Sequence, residues 1–315
     1  MAQKAAHPGA PAPPFDTARP RSSSVSDPTV SHPNHPIELT VVAPAHNEVD
    51  NVDALVEQVG AALTDAGVSF EFILVDDAST DGTPERGRLL QADRPWLRVI
   101  SLGVPVVGGG NGQSCAFKVG FAAARGRLVG VLDADLQNDP AEFPRMLGLL
   151  AEHNADMVQG DRSAARRQGD SPIRQIGSVV GRLFRRMILG DSIRDTGCSL
   201  RIMKREIAIA LPLEFKGMHR FIPVTARSMG FSVIETPVSH RARHAGEPKY
   251  GMGITKRALP GLIDCFAVRW MGKRRRSASS VSEVGAAPTS REHVVVRPHP
   301  SEPASQSSAP SGGRA

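Results

Sequence analysis

Four short apolar runs, at residues 39–43, 70–75, 97–102 and 128–132, recur along the first half of the chain, with helix-forming stretches between them. After the first run, Val52, Leu55, Val56 and Val59 share one helical face, with Asn51 in capping position. Residues 84–91, 113–124 and 141–153 continue the pattern as helices, and 157–159 reads as a further strand. Alternation of this regularity predicts a parallel sheet covered by helices on both faces. Ligands of such sheets bind beyond the carboxyl ends of the strands. The second half is less regular. Residues 173–189 read as a helix with basic and apolar faces, 199–204 and 231–237 as short strands around a helix at 220–229. A last amphipathic helix at 254–271 ends in Lys273-Arg274-Arg275-Arg276.

Of the 315 residues, 40% are hydrophobic, enough for a substantial core, but the ends do not share it. Residues 1–36 and 277–315 are rich in Pro, Ser and Ala, lack periodicity, and are expected to be disordered tails. Residues 37–253 form the expected globular domain, followed by the basic helix at 254–276. The net charge is +6, with many of the cations between Arg162 and Arg276. Such a patch suits acidic lipid, phosphate or nucleic acid alike. Aromatic residues make up 4%, too few for the stacking platforms of single-stranded nucleic-acid binding, so no nucleic-acid partner is expected. Cys115, Cys198 and Cys265 lack metal-ligand spacing and point to a reducing cytoplasm. Neither a secretory signal nor a membrane span is expected. The best apolar stretch, 258–271, is short and contains Asp264 and Arg269.

Two of the apolar runs end in paired carboxylates. Asp76-Asp77 closes FEFILVDDAST, and Asp133-Ala134-Asp135-Leu136-Gln137 closes LVGVLDADLQ. Strand alternation projects Asp133 and Asp135 to one side, and Gln137 extends the set if the chain stays extended. Hard oxygen ligands of this kind suit a divalent cation beside phosphate oxygens. GGGNG at 108–112 is not a dinucleotide-binding fingerprint, since no acidic residue follows at the required place; packing explains it better than phosphate cradling.

Pro44-Ala45-His46-Asn47-Glu48, Asp76-Asp77 with Ser79 and Asp81-Gly82, and DADLQ occur in that order. The set resembles family 2 glycosyltransferases of GT-A fold, especially dolichol-phosphate mannosyltransferase and related polyprenyl-phosphate glycosyltransferases, over residues 38–250. The resemblance implies a single Rossmann-like α/β domain with a mostly parallel sheet. It also implies a nucleoside-diphosphate sugar donor (GDP-mannose or a UDP-hexose), a Mg2+ or Mn2+ cofactor, and inverting transfer to polyprenyl phosphate. Pro44, His46 and Glu48 would line the nucleoside pocket, with His46 replacing the usual tyrosine. Asp76 would meet the base, with Asp77 beside it. Asp133 and Asp135 would face the diphosphate and metal, with Gln137 completing the metal set. Arg162 would hold the acceptor phosphate, and Asp195 falls near the general base of members with hydroxyl acceptors. The segment 240–251, HRARHAGEPKYG, resembles a phosphate clamp, with Arg241, Arg243 and Lys249 as its cations and Pro248 in place of a serine.

Three alternatives remain open on the sequence. One is a hydroxyl acceptor activated by Asp195. Another is a nucleotidyltransferase on a similar sheet, against which the missing GxGxxRxxP-like loop counts. The third is a non-catalytic adaptor at the membrane. The expected location is the cytoplasm, peripheral on the cytoplasmic membrane face, with helix 254–276 at the lipid interface.

Overall fold

The computed structural model describes residues 36–104, 110–164, 172–241 and 254–276. The expected tails at 1–36 and 277–315 lie almost entirely outside the described residues, as do Arg243 and Lys249. Seven strands form one sheet in the order β3-β2-β1-β4-β6-β5-β7. The strands are β1 (Leu39–Ala45), β2 (Phe70–Asp76), β3 (Leu97–Ser101), β4 (Leu128–Val131), β5 (Met157–Asp161), β6 (Arg201–Lys204) and β7 (Val233–Pro237).

β2, β1 and β4 are buried and mostly apolar on both faces because helices cover both. One face packs against α1 (Val49–Asp65), α2 (Thr83–Gln91) and α4 (Glu142–Glu152) through Leu39, Val41, Leu55, Leu90 and Phe143. The opposite face packs against α3 (Gln113–Ala123) and the helices of the second half through Val42, Ile73, Val129, Phe117 and Phe121. Gly120 lets α3 approach closely, since a Cβ there would lie 2.4 Å from a Val42 methyl. Burying a side chain such as Phe117 or Leu39 contributes about 1.5–3 kcal/mol.

β6 breaks the parallel pattern. It pairs antiparallel with β4 (Val131↔Arg201) and with β5 (Val158↔Ile202). After β5 the chain does not cross back to the amino edge. It forms α5 (Pro172–Leu189) and the loop 190–200, then enters β6 from the carboxyl edge of its neighbours. The loop before β6 therefore meets the loop after β4, which places residues 195–200 beside DADLQ.

Smaller differences have local causes. α1 begins at Val49 with Glu48 as its N-cap, so Asn51 lies inside the helix, its amide on the Glu48 carboxylate at 2.7 Å. The helix expected at 220–229 is a 3-10 turn, Met218–Phe221, followed by α7 (Ile222–Ser228), the break falling beside Pro223. A short helix, α6 (Arg205–Ala210), was not expected. The last helix, α8 (Ile254–Arg274), packs on α5, with Phe184 edge-on to Phe266.

Candidate active site

The strand order reverses direction between β1 and β4, and open α/β sheets bind their ligands in the crevice at such a reversal, beyond the carboxyl ends of the strands. Of the four non-glycine residues with positive φ among the described residues, Asn47 (52°), Ala78 (56°) and Leu136 (60°) lie just beyond β1, β2 and β4, and Asn154 lies elsewhere. Such backbone costs on the order of 1–3 kcal/mol per residue and gathers at functional sites.

The β1 and β2 ends are laced together. Asn47 receives Thr80 N–H on its side-chain oxygen at 2.8 Å and donates its own N–H to Ser79 Oγ at 2.9 Å. Asp81 accepts Val49 N–H at the start of α1 at 3.0 Å, so this motif residue serves as a helix anchor. His46 Nδ1 lies 2.6 Å from the Asp77 carbonyl. A carbonyl only accepts, so Nδ1 carries a proton and donates it to Asp77.

The two carboxylates after β2 differ in use. Asp76 is buried and accepts Ser79 N–H at 3.3 Å. Asp77 accepts Asn111 N–H at 2.7 Å, the Asn111 amide at 3.1 Å and Gly112 N–H at 2.8 Å. It thus anchors the glycine loop ahead of α3. A Cβ at Gly110 would come within 2.5 Å of Asp77 Oδ2, which explains the need for glycine there.

DADLQ is a turn and not a strand continuation. β4 ends at Val131, Asp135 Oδ1 accepts Gln137 N–H at 3.2 Å, and Leu136 swings into the core. Strand alternation therefore does not relate Asp133 to Asp135. Asp133 receives the Gln113 amide on Oδ1 at 2.7 Å and the Ser199 hydroxyl on Oδ2 at 2.7 Å. Among the described residues no three His, Cys, Asp or Glu side chains converge as a self-sufficient metal cage. Two carboxylates and an amide oxygen nevertheless fit Mg2+ or Mn2+, which take few protein oxygens when a substrate diphosphate supplies the rest.

Arg162 and Asp195, expected in separate roles, form a buried ion pair. Arg162 Nε meets Asp195 Oδ2 at 2.9 Å, Nη2 meets Oδ1 at 3.3 Å, and Arg162 N–H adds a third bond at 3.2 Å. Their side chains are 6% and 7% exposed. Arg241 lies beside the DADLQ turn: its guanidinium binds Asp139 and the Gln58 side chain, and its N–H reaches the Gln137 carbonyl at 2.9 Å.

Sequence reading missed Gln113, Asn138, Ser199, Arg201 and His219. Arg201 is fully buried and donates to the carbonyls of Ser199 (3.2 Å), His219 (3.4 Å) and Cys198. Burial pulls its pKa down to about 10. Burial, with Arg220 and Arg201 nearby, pushes His219 down to about 3, so it is neutral, with Nδ1 at 2.9 Å from Ser114 Oγ. Burial likewise raises the Cys198 thiol to about 11, so it is no thiolate nucleophile. None of these residues lies in a motif, and only the antiparallel entry of β6 brings them together.

The model of glycosyl transferase family 2 matches residues 40–211. The chain is 36% identical over 245 residues to a dodecaprenyl-phosphate galacturonate synthase of Rhizobium johnstonii, covering 76% of this chain and 70% of the relative. It is 35% identical over 228 residues to an undecaprenyl-phosphate 4-deoxy-4-formamido-L-arabinose transferase of Edwardsiella ictaluri, covering 72% and 67%. Glucosyl-3-phosphoglycerate synthase of Mycobacterium tuberculosis, solved with Mn2+ and UDP-glucose, shares the fold with a TM-score of 0.55 at 22% identity, covering 73% of this chain and 79% of that one. The chain belongs to glycosyltransferase family 2. Its fold is GT-A, and it is a transferase.

Proposed function

We propose that the chain moves a sugar from a nucleoside diphosphate to a polyprenyl phosphate, with inversion at the anomeric carbon. The bond from that carbon to the donor's β-phosphate oxygen breaks, and the nucleoside diphosphate leaves with the electron pair. A bond forms to an oxygen of the acceptor phosphate. The observation that carries this reading is the Arg162–Asp195 pair. With its carboxylate engaged by a guanidinium and backbone N–H groups, Asp195 is poorly placed to deprotonate a hydroxyl. A phosphate monoester needs no such base, because its second pKa lies at about 6. The names of the two relatives support the same acceptor.

Pro44, His46, Glu48 and Asp76 would face the nucleoside, and Asp77 would hold the adjoining loop. Asp135, Gln137 and Asp133 would hold a divalent cation, which would supply charge neutralisation of the diphosphate. Arg241, with Arg243 and Lys249, would neutralise the departing diphosphate, and would also hold phosphate on the acceptor side. Arg162 would hold the acceptor phosphate through its remaining donors.

The acceptor's lipid calls for a bilayer surface. No described helix is long and apolar enough to cross a membrane. α5 and α8 instead expose Val180, Leu183 and Met187, and Ile263, Phe266 and Trp270. α5 contains no acidic residue, and the single acid of α8, Asp264, turns inward toward Gly217. An apolar face bordered by cations suits an anionic cytoplasmic leaflet.

The test is transfer of labelled sugar by purified protein with Mg2+ or Mn2+, undecaprenyl or dolichyl phosphate, and a panel of UDP- and GDP-sugars. Label in the organic phase, lost in Asp135→Ala, is the expected result. Donor hydrolysis without lipid labelling would instead favour a hydroxyl acceptor.

A further inference from the structure

The carboxylate of Asp133 is gripped from two sides by groups that no motif identifies. Gln113 opens α3 on the donor side, directly after the loop tied to Asp77, and Ser199 closes the loop that carries Asp195. We propose that Gln113 and Ser199 are positioning residues that set the orientation of Asp133, with Asn138 fixing the direction of the Ser199 proton. This inference rests on the metal-assisted transferase reading above.

Proton bookkeeping determines the direction. A carboxylate only accepts, so the single Ser199 proton points to Asp133 Oδ2 at 2.7 Å. The Ser199 oxygen must then be an acceptor, and the Asn138 amide donates to it at 2.7 Å. This orientation leaves Asn138 Oδ1 without a hydrogen-bond partner among the described residues, and Asn138 is 1% exposed. A buried orphan acceptor is normally costly. Flipping the amide would aim its oxygen at Ser199 and draw that proton away from Asp133. The side chain therefore keeps an unfavourable atom in order to preserve the donor chain Asn138→Ser199→Asp133. The backbone under Ser199 is held in turn by Arg201, whose Nε reaches the Ser199 carbonyl at 3.2 Å.

Each Asp133 oxygen accepts one of these bonds and keeps a second lone-pair direction. The two grips fix where those directions point. One grip comes from the nucleotide side of the crevice and the other from the acceptor side, so a carboxylate on a strained turn holds one orientation across both. Groups that orient a metal-site carboxylate typically contribute about 10–100-fold to affinity or activity.

The experiment uses the full chain and the variants Ser199→Ala, Gln113→Ala, Asp133→Asn and Ser199→Ala/Asp133→Asn. Mn2+ affinity is measured by electron paramagnetic resonance with saturating UDP or GDP, alongside transfer kinetics and melting temperature. Ser199→Ala and Gln113→Ala are expected to weaken Mn2+ binding and lower kcat by about tenfold or more. Donor KM should stay within about twofold and melting should remain cooperative. In the Asp133→Asn background the Ser199 change should add nothing, because its effect runs through Asp133. Unchanged Mn2+ affinity and kcat in folded Ser199→Ala and Gln113→Ala would overturn the inference, as would full additivity in the double variant. The Mn2+ measurement needs no acceptor. A wild-type chain that binds Mn2+ with nucleotide but labels no lipid therefore sinks the acceptor assignment while the positioning role is still decided.

Discussion

Arg162 and Asp195, separated by 33 residues in sequence, meet inside the protein at 2.9 Å with both side chains almost fully buried. Removing either side chain leaves the other charge buried without its ion-pair counterpart, which costs about 3–5 kcal/mol. Arg162→Ala and Asp195→Ala should each lower stability by that order in urea denaturation. The double variant should lose clearly less than the sum. Additive losses would mean that the pair does not act as a unit.

Asp135→Ala should behave differently. Asp135 lies on the turn after β4, where its Oδ1 accepts the Gln137 N–H. Loss of transfer by about a hundredfold or more, with little change in melting temperature, is expected if it neutralises the leaving diphosphate. A large drop in melting temperature would reassign it as a structural residue.

Asp77 anchors Asn111 and Gly112 by three hydrogen bonds. Asp77→Ala should raise donor KM and cost about 1–3 kcal/mol, from unpaired backbone N–H groups. Gly110→Ala should raise donor KM too, because its Cβ collides with the same carboxylate. Isothermal titration with UDP and GDP reads both effects. Unaltered nucleotide affinity in the two variants would detach this loop from the donor site.

His219 titrates at about 3 in the fold against 6.5 unperturbed, through burial and the neighbouring Arg220 and Arg201. A folded pKa below the unfolded one means that the unfolded chain binds the extra proton. Stability is then fully present above pH 6.5 and declines as pH falls toward 3, by at most roughly 1.4 kcal/mol per pH unit. Between pH 7 and 5 the wild type should lose melting temperature more steeply than His219→Gln. Parallel curves would show that the imidazole protonates freely in the fold.

Leu183 and Trp270 are 65% and 61% exposed on adjacent helices. Leu183→Glu/Trp270→Glu should abolish co-sedimentation with vesicles containing anionic lipid and leave donor hydrolysis in solution intact. Equal binding of wild type and variant would remove these helices from the bilayer surface.

The alternation of apolar runs and helical stretches was enough to predict the layered α/β fold, because strands buried on both faces must be apolar throughout and the intervening helices must be amphipathic. The acidic strand ends could be located for the same reason, since a polar group following a buried strand emerges at its carboxyl end. What the carboxylates do there depended on tertiary contacts. Asp77 and Asp76 are neighbours in sequence, yet one ties down a loop more than thirty residues away and the other bonds within its own turn. The pairing of Arg162 with Asp195, and the meeting of Gln113 and Ser199 on Asp133, follow from the antiparallel insertion of β6 between β4 and β5. Periodicity reports which residues are buried but carries no strand direction, so that insertion was decided only when the sheet assembled.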